Sequence, residues 1–169
     1  MDAKIRTLFI SIICILFVIP SYIGCSSSTG TDSARRYSST IGTATGRDFR
    51  ATIQQVVIRK YRYEIENARE TGDIISYETK WEERSPFRDE EEKGIRLART
   101  RLIVEARTRT RGGLEASGLY SVRYIGETEY QYIDSDTWVI EPLTDSGINY
   151  LRDISRELER EFRSGLHQF

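Results

Sequence analysis

The stretch Ala98-Arg99-Thr100-Arg101-Leu102-Ile103-Val104-Glu105-Ala106-Arg107-Thr108-Arg109 decides the fold of this chain. Small or apolar residues occupy the even positions, and arginines or a glutamate occupy most of the odd positions. Alternation with a period of two predicts a β-strand with one buried face and one wet face. The alternation resumes between Ala116 and Tyr124, after the Gly112-Gly113 pair, which predicts a turn. The segment therefore predicts two long antiparallel strands.

Further elements follow on both sides of this strand pair. Two shorter alternating runs, Tyr63 to Ile65 and Ile75 to Trp81, flank a Gly72-Asp73 turn and predict a β-hairpin. Apolar residues recur at helical spacing from Phe49 to Tyr61, after the candidate caps Thr45 and Asp48. They recur again from Ile148 to Phe162, after the candidate caps Thr144, Asp145 and Ser146. The prediction is an α+β two-layer sandwich, in which an N-terminal and a C-terminal helix cover one face of about four antiparallel strands.

Aromatic residues at strand spacing predict the core under the helices. The residues in question are Trp81, Tyr77, Tyr120, Tyr124 and Tyr63. The alternative is that some of them, Trp81 and Tyr77 first, line a groove between helix and sheet that holds a ligand or a peptide.

Arginines share the wet side of the central strand: Arg99, Arg101, Arg107 and Arg109. One hypothesis is a basic strip for lipid phosphates, lipopolysaccharide or an acidic partner. The other is cross-strand pairing with Glu78, Glu82, Glu115 and Glu127. With 25 Lys+Arg against 26 Asp+Glu, the net charge is −1, and this balance favours pairing. It also argues against nucleic acid as a partner.

The residue inventory excludes most catalytic, metal and cofactor chemistry. The chain has one histidine, His167 near the C-terminus, and two cysteines. The acidic run Asp89 to Glu92 lacks the alternating spacing and the glycine of a calcium loop, so a solvated loop is the prediction. No glycine-rich phosphate loop is present. We therefore expect no catalytic residue, no metal and no cofactor.

The N-terminus has the pattern of a targeting segment. Lys4 and Arg6 precede an apolar run from Leu8 to Ile19, which Pro20 ends. A run of about a dozen residues is too short to span a membrane and is typical of a signal peptide. The Ser/Thr/Gly-rich composition after Cys25 predicts a flexible tether. The expected organisation is a signal over 1–24, a tether over 25–46 and one domain over 47–169.

The sequence Ile23-Gly24-Cys25 resembles the lipobox of bacterial lipoproteins. That resemblance implies cleavage before Cys25, attachment of acyl chains to its thiol and amino group, and anchoring in a membrane. In lipoproteins of the enteric type, a serine after the cysteine, here Ser26, implies sorting to the periplasmic face of the outer membrane. Cys14 lies in the discarded segment, so no disulfide is expected in the mature chain.

The order of elements from Phe49 to Arg84 is similar to the helix-grip domains of small outer-membrane lipoproteins that assist β-barrel assembly. The resemblance rests on the amphipathic helix, the sequence Lys60-Tyr61-Arg62-Tyr63-Glu64-Ile65-Glu66 that follows it, and a strand that ends in Thr79-Lys80-Trp81. The resemblance implies a non-enzymatic envelope protein that scaffolds or binds.

Three function classes follow from these observations. The expected one is a lipid-anchored interaction module that supports an envelope complex. The alternatives are a lipoprotein that carries a small apolar or lipid ligand between helix and sheet, and, with least support, an enzyme that uses carboxylates alone.

Overall fold

The sheet of this protein is antiparallel and has six strands. A computed structural model describes residues 35–111 and 114–165. The strand order is β1-β6-β5-β3-β2, with β4 paired to β5 beside β3. The strands are β1 (Arg36–Thr45), β2 (Ile65–Glu70), β3 (Ile74–Thr79), β4 (Glu82–Arg84), β5 (Ile95–Arg111) and β6 (Leu114–Tyr132).

In the part of the chain that the structure describes, three α-helices complete the α+β class, which confirms that prediction at the level of class. They are α1 (Gly46–Thr52), α2 (Arg88–Glu91) and α3 (Asp145–Gly165), and α1 continues directly as a π-helix (Ile53–Lys60). The prediction of about four strands is wrong, because β1 and β4 also join the sheet.

The first strand corrects the predicted domain boundary. Residues 36–45, which the composition assigned to a flexible tether, form β1 and pair with β6 from Arg36↔Glu127 to Thr45↔Leu119. Ser and Thr bury little apolar surface, yet an edge strand obtains its hydrogen bonds from its neighbour. Ile41 and Ala44 also point to the core, at 2% and 0% exposure. Residues 36–45 therefore belong to the folded domain and not to a tether.

The predicted caps of both long helices are present. The Thr45 side chain accepts a hydrogen bond from the Asp48 N–H at the start of α1. The Thr144 hydroxyl accepts one from the Gly147 N–H at the start of α3. Each cap satisfies an N–H that a helix leaves unpaired in its first turn.

The central strand has the buried face that its alternation predicts. Five even positions of β5 are almost fully buried: Ala98, Thr100, Leu102, Val104 and Ala106. The side of the sheet that carries them is called the inner face below, and the opposite side the outer face. Residues from α1, the π-helix and α3 share one hydrophobic cluster with the inner face, among them Phe49, Val56, Val57, Leu151, Ile154, Leu158 and Phe162.

Candidate functional site

The structure distributes the six predicted surface residues over three places. Trp81, Arg99 and Arg101 lie together on the outer face. Tyr77 lies on the inner face, where its ring stacks on Phe49 at 5.7 Å between centroids. Arg107 and Arg109 belong to the far end of β5. The sequence pointed to two surfaces, an aromatic groove and an arginine strip. The structure brings Trp81, from the first, together with Arg99 and Arg101, from the second.

The cluster also contains Trp138, from the connection after β6. The guanidinium carbon of Arg99 lies 4.4 Å from the centroid of the Trp138 ring and 5.1 Å from that of Trp81. The guanidinium carbon of Arg101 lies 4.7 Å from the Trp81 centroid. We call Trp81, Arg99, Arg101 and Trp138 the Trp–Arg patch. Its rings and guanidinium groups are placed for cation–π contacts.

Carboxylates pair with both arginines of the patch. The Arg99 Nε donates to Glu129 at 2.7 Å. Arg101 contacts two carboxylates, donating from Nη1 to Glu78 at 2.5 Å and from Nε to Glu127 at 2.8 Å. These arginines are only 27% and 28% exposed. Cross-strand pairing, one of the two hypotheses for the arginines, thus describes Arg99 and Arg101.

The position of Trp81 corrects the prediction that it lies in the core. Glu78 pairs with Ile103, whereas Glu82 pairs with Thr100. Between these two pairs, the chain from β3 to β4 advances by four residues, whereas β5 advances by three. This one-residue register shift moves the side chains after it to the other face. Trp81 is therefore half-buried on the outer face, beside Arg101.

The other predicted core aromatics do lie on the helix side of the sheet. Tyr63 and Tyr124 are 3% and 0% exposed. Tyr77 and Tyr120 are partly buried and pack against the same core. Burial raises the pKa of Tyr124 well above its usual value, and burial likewise raises that of Tyr63. Tyr63 and Tyr124 therefore stay neutral and act as packing residues.

A small pocket lies next to the patch, at the start of β1. Its volume is about 130 Å³, and its lining residues are Arg35, Arg36, Trp81, Glu127, Thr128 and Ile140. Pockets for small-molecule ligands usually measure about 300 Å³ or more, so this one is too small to enclose such a ligand. Ile140, one of the lining residues, is 54% exposed.

Sequence reasoning missed Trp138, because its segment reads as a polar connection with one uncertain edge strand between Tyr130 and Ile140. In the structure Tyr130 to Tyr132 complete β6, and Tyr130 forms an isolated bridge with Val139. The signal available in the sequence was the tryptophan itself, because a tryptophan in a Ser/Asp-rich connection indicates a contact.

The acidic run also contains a buried charge that the sequence did not predict. Residues 88–91 form α2 and not a solvated loop, and Glu90 is 0% exposed. Its carboxylate accepts two hydrogen bonds from Arg84, each of 2.7 Å, and one from the Phe87 N–H at 2.8 Å. The prediction of a solvated loop is wrong because this ion pair compensates the burial of Glu90.

Several predicted features fall outside the described residues. Cys25, His167 and the Gly112-Gly113 turn are among them. Within 35–111 and 114–165, no group of three or more His, Cys, Asp or Glu side chains could hold a metal ion. None of the helices described there is long and apolar enough to cross a membrane.

Comparison with known proteins adds no family to this description. No family model matches the chain, and neither a curated protein nor a solved structure matches it. The class established by the structure itself is α+β, with a six-stranded antiparallel sheet.

Proposed function

We propose that the chain is a lipid-anchored, non-enzymatic interaction module of the bacterial envelope. Acyl chains on Cys25 hold it on the periplasmic face of the outer membrane, where it supports a protein complex. It uses no cofactor and binds no nucleic acid. The resemblance of Ile23-Gly24-Cys25 to a lipobox and that of the segment from Phe49 to Arg84 to helix-grip domains support the proposal.

One observation carries the proposal: β5 and β6 continue beyond the rest of the sheet. The pairing of β3 with β5 extends only to Arg107, and that of β1 with β6 ends at Leu119. Past these residues β5 and β6 still pair with each other, at Thr110↔Glu115 and Arg111↔Leu114. We call the end of this strand pair, residues 108–111 and 114–118, the hairpin arm.

The arm has the properties of a binding element. An isolated two-stranded ribbon is marginally stable in water, and its outer edges expose backbone groups that a partner strand can pair with. Arg107 at its base is 63% exposed on its side chain. Arg109 and Arg111 continue the basic sequence into the arm. We assign partner binding to this element, and an acidic or strand-donating protein fits it.

The arm lies at the opposite end of the sheet from the start of β1. Between Glu127, opposite Arg36, and Leu119, opposite Thr45, β6 advances by eight residues, or about 27 Å at strand rise. A chain that arrives from a membrane-bound Cys25 thus enters at one end and presents the arm at the other. This arrangement suits a module that reaches from the membrane to a partner.

The ligand-carrier alternative has less support, because side chains occupy the space between the helices and the sheet. Phe49 stacks on Phe162 at 6.1 Å and on Tyr77 at 5.7 Å. A methyl group on Gly126 would lie only 2.5 Å from Leu151.

The anchor is tested by Cys25→Ser in cells. We expect the variant to remain an uncleaved precursor and to lose labelling with a fatty-acid probe, because the thiol that accepts the lipid is absent. Cys14→Ser, in the discarded segment, is the matched control and should label normally. Normal labelling of Cys25→Ser would contradict the anchor.

The arm is tested by photocrosslinking in intact cells. A photoreactive residue at Leu119, which is 39% exposed at the base of the arm, should form adducts with one envelope protein. Replacing residues 109–117 with a short Asn-Gly turn, which suits a two-residue hairpin, should abolish the adduct and leave the fold unchanged by circular dichroism. An adduct that survives removal of the arm rules out the arm as the binding element.

A further inference from the structure

The start of β1 and the Trp–Arg patch occupy the same end of the molecule. Arg35 and Arg36 line the small pocket together with Trp81 and Ile140. Trp81 and Trp138 are both in contact with Arg99. The two tryptophans of the chain therefore lie where the folded domain begins.

The length of the preceding chain places this end near the bilayer, provided that Cys25 is the anchor as proposed above. Arg36 follows Cys25 by eleven residues. Fully extended, they span at most about 40 Å, and as a random coil roughly 18 Å. The start of β1 and the patch beside it therefore stay within about 40 Å of the lipid surface, whereas the hairpin arm lies at the opposite end of the sheet.

The chemistry of the patch fits the lipid headgroup layer. Tryptophan rings concentrate at the membrane–water interface, where one part of the ring is apolar and the N–H stays hydrated. Ile140 offers an exposed apolar side chain at the rim of the pocket. Arginine side chains at this depth favour lipid phosphates.

Charge does not oppose this contact. Arg99 and Arg101 are paired with Glu129, Glu78 and Glu127. With Arg35, Arg36 and Glu83, the register partner of Arg99, included, this end of the outer face has four arginines and four glutamates. The surface is thus nearly neutral, and its contact with lipid should depend little on anionic headgroups.

We propose that the Trp–Arg patch and Ile140 rest on the lipid surface that holds Cys25, so that the domain has a fixed orientation with the hairpin arm directed away from the membrane. The acyl chains supply the affinity. The patch supplies the orientation.

The two tryptophans make the proposal directly measurable, since all intrinsic tryptophan fluorescence reports on the patch. The lipidated full chain is reconstituted in phosphatidylethanolamine vesicles with and without brominated phosphatidylcholine. We expect the bromine atoms to quench the emission, and Ile140→Asp to reduce that quenching several-fold while the protein still floats with the vesicles. Ala68→Asp, on the exposed strand β2, introduces the same charge and should leave the quenching unchanged.

The outcomes separate the patch from the anchor. Equal emission in brominated and ordinary vesicles, with the protein bound to both, overturns the proposal and leaves the anchored function intact. A chain that does not float with vesicles overturns the anchored function and the orientation with it. A photoreactive residue at position 140 that forms a protein adduct in cells, and no lipid adduct, shows that a protein covers the patch and also overturns the proposal.

Discussion

At the scale of single residues, the buried pair Arg84–Glu90 connects β4 to α2 and to the start of α3. Both carboxylate oxygens of Glu90 accept hydrogen bonds from Arg84, and the guanidinium lies 4.0 Å from the Phe87 ring. Glu90 Oε1 also lies next to Gly147, in the first turn of α3. The buried Glu90 carboxylate thus fixes the positions of β4, α2 and the start of α3 relative to one another.

Removing the carboxylate should destabilise the domain strongly. Glu90→Ala leaves the Arg84 guanidinium, which is 15% exposed, without its counter-ion, and breaking a buried pair costs about 3–5 kcal/mol. Glu92→Ala is the control, because the Arg88–Glu92 pair is 92% and 67% exposed and should contribute well under 1 kcal/mol, ~0.3–0.5 for such helix pairs. Urea unfolding of the mature chain measures both. Equal stability of the two variants would contradict this role of the pair.

A second residue-scale prediction concerns pH. Glu70 accepts hydrogen bonds from Arg50 and from the Tyr77 hydroxyl. The Arg50 guanidinium lowers the pKa of Glu70 from 4.5 to about 2. Because the folded-state pKa lies below the unfolded value, this contact stabilises the fold above about pH 4.5 and is lost as the pH falls toward 2.

Arg50→Gln should therefore return the pKa of Glu70 toward its ordinary value, as measured by carboxyl carbon NMR. The control lies in the same spectra. Lys80 lowers the pKa of Glu64, and that pKa should not change in the variant. An unchanged pKa of Glu70 would show that the guanidinium is not its cause.

At the scale of elements, the register shift between β3 and β4 depends on one hydroxyl. The Leu102 N–H lies opposite the shift and donates to the Thr79 hydroxyl at 2.9 Å. Thr79 and Leu102 are 1% and 0% exposed, so water cannot replace this hydrogen bond. The Thr79 hydroxyl thus satisfies the N–H that the register shift would leave unpaired. The register shift in turn places Trp81 on the outer face.

Thr79→Val keeps the shape of the side chain and removes the acceptor. We expect a loss of about 1–3 kcal/mol, the typical cost of a buried unsatisfied N–H. Thr40→Val, at an exposed position of β1, should have little effect. Chemical denaturation measures the difference. A Thr79→Val variant as stable as Thr40→Val would mean that another group satisfies the Leu102 N–H.

At the scale of the whole molecule, α3 packs closely on the sheet at Gly126. A methyl group there would lie 2.5 Å from one terminal carbon of Leu151 and 3.1 Å from its Cγ. Leu151 is 0% exposed and surrounded by the core. The missing side chain of Gly126 therefore sets the distance between the helix and the sheet.

Gly126→Ala should destabilise the domain by about 1–3 kcal/mol through overpacking. Leu151→Ala alone should cost about 2–5 kcal/mol through a cavity. The double variant should lose less than the sum of the two, because the new methyl group partly fills the cavity. Urea melts of the four proteins complete the cycle. Strict additivity would contradict direct contact between these residues.

The sequence by itself determined which residues of β5 face the helices. The burial of Leu102, Val104 and Ala106 follows from period-two alternation, which is a local property of a pleated strand. The sequence likewise determined the apolar face of α3 and the caps Thr45 and Thr144. Caps and helical periodicity involve only neighbours within a few residues.

Only the tertiary structure decided the features that depend on a distant partner. Strand β1 obtains its hydrogen bonds from β6, which is distant in the chain. Its Ser/Thr-rich composition does not indicate this partner, and for that reason it predicted a tether. The face of Trp81 depends on its register against β5, which a shift of one residue reverses. The burial of Glu90 depends on Arg84 being placed against it. Strand pairing, strand register and the compensation of buried charge all depend on segments far apart in the chain. The local sequence of one segment does not predict them.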